Sequence, residues 1–253
     1  MSSQRFFRIS LLLSFLALTG LISCSKRPLL AGKTDPVSAK MECDGLSLKN
    51  DYEEAIKCYE LLKSRFPGTP EAVESEIHIG DNYFRQKEYL VAAESYAGFI
   101  KIHPTHPRLD YVYYRTGLSY LKASPKAIDR NQEYLDDSVA YLEAVLGQFP
   151  GSDYTNVARE KWEAARRRLA KRHLYIGRFY YKTGEYLASL NRFEEVIKRY
   201  GDLGLDERAY YWLGRSYLKL SRKEKALEAL EGLEKKYPAG RFRKKLAGKL
   251  GLS

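Results

Sequence analysis

Three stretches of this chain begin alike, and this internal repetition limits the fold more than any other sequence feature. They start at Asp51, Glu88 and Glu185, each followed by a tyrosine and then by apolar residues at helical spacing. Before each stretch a small residue stands three positions ahead of a large one, as Gly80 does before Tyr83. Internal repeats of this kind are typical of solenoids, whose units bury their apolar faces only against neighbouring units.

The second copy of the repeat shows its register most clearly. Its small and large residues and its closing proline stand in the order of a tetratricopeptide unit: Gly80, Tyr83, Tyr89, Ala92, Tyr96, Phe99 and Pro104. The first and fifth copies match this order. The third matches if nine residues are inserted within Lys122–Tyr134, and the fourth ends in Gly201 instead of proline. We therefore predict an all-α fold, an α-solenoid of five tetratricopeptide-like helix hairpins.

A long stretch of helix formers without proline begins at Ser152 and divides the array. It is too long for one repeat helix, so we expect a long connecting helix between repeats three and four. Repeats one to three then occupy residues 38–151. Residues 152–253 hold the connecting helix, repeats four and five, and a capping helix over Arg241–Leu250. A basic cluster in the connecting helix is interpreted as a solvated face more readily than as a binding patch: Arg166, Arg167, Arg168, Lys171 and Arg172.

The N-terminus has the pattern of a secretory signal. Arg5 and Arg8 precede an apolar run of about 14 residues, which is shorter than the roughly 20 that a membrane-spanning helix needs. The run ends in Leu-Ile-Ser-Cys at Cys24, which resembles the lipobox of bacterial lipoproteins. We expect residues 1–23 to be a lipoprotein signal peptide and Cys24 to carry covalent N-palmitoyl and S-diacylglycerol lipid. Residues 24–37, which lack periodicity, are predicted to form a flexible tether.

Two further cysteines, Cys43 and Cys58, fall on successive helices of the first repeat. Export to an oxidising compartment permits a disulfide between them. The alternative is a pair of small buried thiols that pack as apolar side chains, and the sequence favours this second interpretation.

No arrangement of residues in the sequence points to catalysis. His103 and His106 lie in a His-Pro-Thr-His-Pro segment, where the prolines predict a rigid turn and no further ligands complete a zinc site. Nucleophile elbows and phosphate-binding loops are absent. We expect no enzyme activity, no metal and no cofactor besides the lipid. The net charge of +11, or +9 without Arg5 and Arg8, suits anionic partners, but export argues against nucleic acid.

Together these features resemble the BamD family of lipoproteins, which belong to the outer-membrane β-barrel assembly (BAM) machinery. The most specific segment is Ile102–Leu118, which is similar to the family's Asn-Pro-Thr-His-Pro-x-x-Asp-Tyr sequence, with His103 where the family often has Asn. Further matches are Phe149–Tyr154, Arg168–Lys171 and the Asn191-Arg192 pair. The resemblance covers essentially the whole mature chain.

The resemblance implies a non-enzymatic scaffold. Its N-terminal repeats would recognise unfolded outer-membrane β-barrel proteins, and its C-terminal repeats would dock on a POTRA domain of BamA, alongside other BAM subunits. Asn191 and Arg192 match the docking segment, although an ion pair within the repeat is an open alternative for Arg192. The candidates for the substrate groove lie on first helices or at a repeat junction: Phe66, Asp81, Phe84, Tyr111 and Tyr114. The tyrosines are equally open to packing between repeats.

The residue after the lipobox cysteine bears on where such a protein resides. Ser25 stands where an Asp is usually associated with retention in the inner membrane. We therefore expect a lipid-anchored protein of the outer membrane that faces the periplasm. The alternative function is a tetratricopeptide-repeat adaptor lipoprotein for another envelope machine, such as a pilus-secretin pilotin or a coordinator of cell-wall synthesis or division.

Overall fold

The computed structural model describes residues 28–252, and the regular structure of this part of the chain is entirely helical. It consists of eleven α-helices and one short 3-10 turn, Gly201–Leu203. The helices are α1 Pro36–Leu48, α2 Tyr52–Arg65, α3 Pro70–Arg85, α4 Tyr89–Ile102, α5 Leu109–Ala123, α6 Glu133–Gln148, α7 Thr155–Thr183, α8 Tyr186–Tyr200, α9 Asp206–Lys219, α10 Lys223–Lys236 and α11 Arg241–Leu250. The predicted all-α class is confirmed.

The helices pack as five successive antiparallel hairpins: α1 with α2, α3 with α4, α5 with α6, the second half of α7 with α8, and α9 with α10. Each hairpin also packs against the next one in the chain. The last helix, α11, covers the open end of the fifth hairpin with Leu246 and Leu250, which are buried. This is the predicted solenoid with its capping helix, because a terminal hairpin otherwise exposes an apolar face.

The turns inside the hairpins share one conformation. Asn50, Lys87, Gly184 and Ser221 occupy equivalent positions in four hairpins, and all four have positive φ angles of 64°, 67°, 89° and 57°. A left-handed residue reverses the chain directly after a helix and satisfies the last helical carbonyls. In the third hairpin the inserted loop, residues 124–132, replaces this tight turn at the predicted place.

The glycines of the repeat permit close approach of paired helices. A Cβ atom added at Gly80 would stand 2.6 Å from the ring of Tyr96, and one added at Gly177 would stand 2.7 Å from Phe193. Both aromatic side chains are fully buried. The alternation of small and large residues in the sequence is therefore core packing, as predicted.

The predicted connecting helix and the first helix of repeat four are one continuous helix, α7. It has 29 residues, which corresponds to a length of about 43 Å. Its first half packs on α6 of repeat three, and its second half packs on α8. A single helix shared by both halves of the array fixes their relative position.

Three arginines of the basic cluster of α7 are engaged within the protein, which differs from the predicted solvated face, whereas Arg167 and Lys171 are exposed as predicted. The Arg168 guanidinium donates to the carbonyl of Pro125 at 2.5 Å and to the Gln132 side chain at 2.9 Å. Arg172 donates to the carbonyl of Arg130. Arg166 pairs with Asp202 at 2.6 Å. The inserted loop of repeat three offers carbonyl groups without helical partners, and Arg168 and Arg172 provide the missing donors.

The prediction of a flexible tether was wrong for residues 28–37. Leu30 is fully buried in the core of the first hairpin, and its N–H donates to Glu42 Oε1 at 3.0 Å. The Arg65 guanidinium donates to the carbonyl of Leu30 at 2.8 Å. One buried apolar side chain and two hydrogen bonds hold a segment that lacks any periodic pattern. The predicted signal peptide, residues 1–23, and Cys24 lie outside the described residues.

Cys43 and Cys58 form a disulfide, with their Cα atoms 5.3 Å apart. The sequence favoured two packed thiols, and the structure shows the other alternative. Both residues are fully buried between α1 and α2. The bond therefore links the two helices of the first hairpin.

Candidate interaction surfaces

A largely buried carboxylate joins repeats two and three. The side chain of Asp81 on α3 is 16% exposed. Its Oδ1 accepts hydrogen bonds from the hydroxyls of Tyr96 on α4 and Tyr111 on α5, each at 2.5 Å. The Arg115 Nε lies 3.5 Å from the same oxygen. Asp81, predicted as a groove residue, is thus an internal acceptor that positions its neighbours.

The protonation states of this network follow from its contacts. Burial alone would raise the pKa of the Asp81 carboxyl, but His78, the hydroxyls of Tyr111 and Tyr96, and the charge of Arg115 outweigh burial and lower that pKa. Burial and then the negative charge of Asp81 raise the pKa of Tyr96 and of Tyr111. At neutral pH the carboxylate is therefore ionised and both hydroxyls keep their protons.

Aromatic rings surround the guanidinium of Arg115. Its central carbon lies 3.9 Å from the centroid of the Phe84 ring and 5.8 Å from that of Tyr111. Contacts of this kind stabilise a cation on the face of a ring. The Phe84 ring also meets Tyr89 edge to face, with centroids 5.1 Å apart. The Phe84 and Tyr111 side chains are both half-buried, so part of each ring stays open to solvent.

Tyr154, directly before α7, connects the two predicted tyrosines. Its ring stacks on Tyr114 with centroids 5.4 Å apart and lies 5.3 Å from Tyr111. The structure therefore brings four of the predicted groove residues together at α3, α5 and the start of α7. We call this the aromatic–carboxylate surface: Asp81, Phe84, Tyr111, Tyr114, Arg115 and Tyr154. Phe66 lies elsewhere, packed against the core of the first hairpin.

Three members of this network were not singled out from the sequence: Tyr96, Arg115 and Tyr154. Tyr96 appeared only as a core residue of the repeat. Arg115 and Tyr154 both lie in segments that carry the family resemblance, Ile102–Leu118 and Phe149–Tyr154. Their position in these segments is the sequence signal that could have identified Arg115 and Tyr154 as candidates.

Asn191 and Arg192 lie on α8, at the surface of repeat four. Asn191 is exposed and Arg192 is half-buried, with its Cβ only 3.1 Å from where a Cβ of Gly177 would stand. Within residues 28–252 the Arg192 guanidinium has no hydrogen-bond or ion-pair partner. The described residues thus lack the ion pair within the repeat that was the alternative interpretation of Arg192. Burial and then the positive charge of Arg192 lower the pKa of His173.

The two loop histidines face carboxylates of α3. His103 Nε2 lies 3.4 Å from Glu76 Oε2, and His106 Nε2 lies 3.5 Å from Glu74 Oε1. Both imidazoles also contact the ring of Phe99. Among the described residues there is no group of three or more His, Cys, Asp and Glu side chains that could hold a metal ion. The histidines thus lie between Phe99 of α4 and the carboxylates of α3.

The class of protein follows from this architecture. Stacked helical hairpins that present aromatic and charged side chains on their surfaces define a tetratricopeptide-type solenoid, a class whose extended surfaces bind other molecules. In the part of the chain that the structure describes, no helix combines the length and the apolar character needed to span a bilayer. The chain belongs to the YfiO family of outer membrane lipoproteins, whose family model matches residues 45–229.

Relatives with curated names agree with the family. The outer membrane protein assembly factor BamD of Neisseria meningitidis is 28% identical over 202 residues, which cover 76% of each chain. That of Rickettsia prowazekii is 28% identical over 240 residues, 93% of this chain and 94% of the relative. Among solved structures, a TPR2AB-domain complex of yeast Sti1 is 14% identical, with a TM-score of 0.43 over 85% of this chain and 82% of that one.

Proposed function

We propose that this protein is a non-enzymatic scaffold of the BAM complex, which assembles β-barrel proteins into the outer membrane. The observation that carries the proposal is the family match, which extends from α1 into α10 and thus includes both candidate surfaces. A lipid on Cys24 would hold the protein at the periplasmic side of the outer membrane. Other subunits of the complex and unfolded barrel proteins would be its partners.

The aromatic–carboxylate surface is the proposed contact for unfolded barrel proteins. Their C-terminal strand is extended and rich in apolar and aromatic side chains, and the half-buried rings of Phe84, Tyr111 and Tyr114 provide flat apolar surfaces for it. Asp81 contributes indirectly, because it orients Tyr111 and Arg115 from within the protein. Phe66, in the first hairpin, is a separate candidate for such a contact.

Arg192, with the exposed Asn191 beside it, is the proposed contact for a POTRA domain of BamA. A half-buried guanidinium without an internal partner is suited to pair with a carboxylate of another protein. The asparagine amide can both donate and accept hydrogen bonds at the edge of such a contact. The long helix α7 connects the repeat that carries this site with the repeats that carry the aromatic–carboxylate surface.

A binding experiment with the purified POTRA region of BamA tests the docking site. We expect Arg192→Glu to weaken binding at least about tenfold, because a charge-assisted pair is replaced by repulsion between two carboxylates. Lys198→Glu on the same helix is the matched control, because Lys198 is exposed and contacts only Glu194. Binding by Arg192→Glu that equals the wild type would contradict this docking site.

A peptide with the C-terminal strand of a barrel protein, ending in an aromatic residue, tests the substrate surface. We expect Tyr114→Ala to weaken its binding about five- to tenfold, because each aromatic contact contributes on the order of 1 kcal/mol. Tyr134→Ala is the control, since that tyrosine stacks on Tyr120 away from this surface. An equal loss in both variants would argue against a specific site.

A further inference from the structure

A groove between α7 and α9 has a chemistry of its own. Tyr175 on α7 is 47% exposed and borders the groove beside Arg178, while Trp212 lines it from α9. Phe179, 55% exposed, continues the apolar surface along α7. We call this the basic–aromatic groove and define it by six residues: Lys171, Tyr175, Arg178, Arg208, Trp212 and Arg215.

The groove is a repeated pattern. Repeats four and five share a register in which equivalent residues stand 37 positions apart, as Tyr180 and Tyr217 do. In this register Lys171 corresponds to Arg208, Tyr175 to Trp212, and Arg178 to Arg215. The order of cation, aromatic ring and cation therefore recurs on two neighbouring first helices. Equivalent positions of a solenoid face the same side of the array, so the two sets line one continuous surface.

The same positions in repeat two carry the opposite charge. They are occupied by Glu74, His78 and Asp81, and both carboxylates there have cationic partners in the protein, Arg108 and Arg115 respectively. In repeats four and five the positions equivalent to Glu74 and Asp81 carry only cations, and the position equivalent to His78 carries an aromatic ring. The contrast shows that the charge of the groove is not a consequence of the repeat itself.

The cations of the groove lack carboxylate partners. In the described chain, none of its four cationic side chains has an Asp or Glu within ion-pair distance, and residues 164–183 contain no acidic residue at all. The nearest acids on α9 are engaged elsewhere. Asp206 accepts from Lys236 and Tyr237, and Glu207 accepts from the N–H of Phe242.

Two of these guanidiniums share one ring. The Arg178 and Arg215 central carbons lie 5.5 Å and 5.3 Å from the centroid of the Trp212 indole. Two guanidiniums close to one ring concentrate positive charge there, and no carboxylate of the described chain neutralises it. The arrangement therefore has the chemistry of a site for a negatively charged ligand beside an apolar one.

We propose that the basic–aromatic groove binds an extended acidic segment of a partner protein that carries aromatic side chains among its carboxylates. Guanidinium groups pair with carboxylates in bidentate geometry, and the rings of Tyr175 and Trp212 accept the apolar side chains between them. Anionic lipid would satisfy the charges, but half-exposed rings within a groove between two helices favour a ligand whose side chains enter it.

This groove is separate from the proposed docking site on α8. Arg192 lies near His173 of α7, whereas the groove residues Lys171 and Tyr175 each stand two positions from His173. Two residues correspond to a rotation of about 200° around an α-helix, so these positions lie on nearly opposite sides of α7. The groove and the Arg192 site therefore face different sides of α7.

Fluorescence anisotropy with the mature protein and a labelled peptide of three Asp-Asp-Phe units tests the proposal. We expect the peptide to bind more weakly as the salt concentration rises. The double variant Arg178→Glu and Arg215→Glu should bind the peptide at least about tenfold more weakly than the wild type does. Lys235→Glu with Lys244→Glu makes the same change in net charge on exposed positions outside the groove and should leave binding within about twofold of the wild type. Tyr175→Ala, which keeps the charge, should weaken binding about threefold or more.

Three results would overturn the proposal. One is an equal loss of binding in the control pair, which would show attraction by net charge alone. Another is undiminished binding of a peptide with Ser in place of Phe. The third is tight binding of phosphatidylglycerol vesicles that depends on Arg178 while the peptide does not bind. Circular dichroism of each variant checks that the exposed substitutions leave the helices folded.

Discussion

The hydroxyl of Tyr111 on α5 donates a hydrogen bond of 2.5 Å to Asp81 Oδ1 on α3, and this bond ties repeat three to repeat two. The same oxygen accepts from Tyr96 within repeat two. Repeat one contains an equivalent pair, Asp44 and Tyr59, with the same separation of 15 residues and a distance of 2.5 Å. Repeat two differs in that its carboxylate also accepts a bond from the next repeat. Asp81 therefore joins two neighbouring hairpins.

Removal of that junction should destabilise the protein. We expect Asp81→Ala to lower the free energy of unfolding by about 2–4 kcal/mol, because the largely buried Arg115 and two hydroxyls lose their shared acceptor. Urea denaturation followed by circular dichroism measures the change. Asp129→Ala, at an exposed position in the inserted loop, is the control and should change stability by less than about 0.5 kcal/mol. Equal effects of the two substitutions would contradict this role of Asp81.

The same carboxylate should make stability depend on acid. The pKa of Asp81 is lower in the folded protein than its ordinary value of 3.8. Its contribution is therefore present above that value and is lost as the pH falls through the lower pKa of the folded state. We expect the difference in unfolding free energy between the wild type and Asp81→Asn to shrink as the pH falls below about 4. A difference that grows below about pH 4 would contradict the assigned sign.

The disulfide should stabilise the first hairpin. Cys43 and Cys58 are 15 residues apart, and closing a loop of that size stabilises the folded state by about 3 kcal/mol in the chain-entropy model. We expect a reducing agent to lower the Tm of the wild type. The double variant Cys43→Ala and Cys58→Ala should begin with a lower Tm and show no response to reductant. A wild-type Tm that is insensitive to full reduction would argue that the bond contributes nothing.

Arg168 should control the order of the inserted loop. Its guanidinium donates to the Pro125 carbonyl and to the Gln132 side chain, and these bonds hold a loop without helical partners. We therefore expect Arg168→Ala to increase amide hydrogen exchange across residues 124–132 by about tenfold. Arg167→Ala is the matched control, because Arg167 is exposed and donates only to the Leu203 carbonyl, at 3.2 Å. Unchanged exchange in the loop of Arg168→Ala would show that other contacts hold it.

Leu30 should hold the N-terminal segment on the first hairpin. Loss of its fully buried side chain removes about 2–4 kcal/mol of local packing, so Leu30→Ala should accelerate tryptic cleavage after Lys33. Leu48→Ala, at a position 78% exposed, should leave the cleavage rate unchanged. If both variants are cleaved like the wild type, the segment is held by its hydrogen bonds to Glu42 and Arg65 rather than by Leu30.

The repeat pattern accounts for most of the fold and for part of the candidate site. The order of the hairpins, the inserted loop and the capping helix were predictable because tetratricopeptide spacing records contacts between helices adjacent in the chain. The same spacing placed Phe84 and Tyr111 on first helices. It did not indicate that they share Arg115, because the residues that meet there come from different repeats and their partners depend on rotamers.

What the sequence determined by itself is the periodic part of this protein: five hairpins, a long helix between the halves, and a cap. Tertiary structure alone decided that Cys43 and Cys58 are joined and that Leu30 is buried. It also decided that the arginines of α7 divide into those that hold a loop, such as Arg168, and those left without acidic partners, such as Arg178. The reason is physical: helical spacing is set by neighbours a few residues away, whereas pairing of charges and burial of irregular segments depend on which distant groups the stacked hairpins bring within a few ångströms.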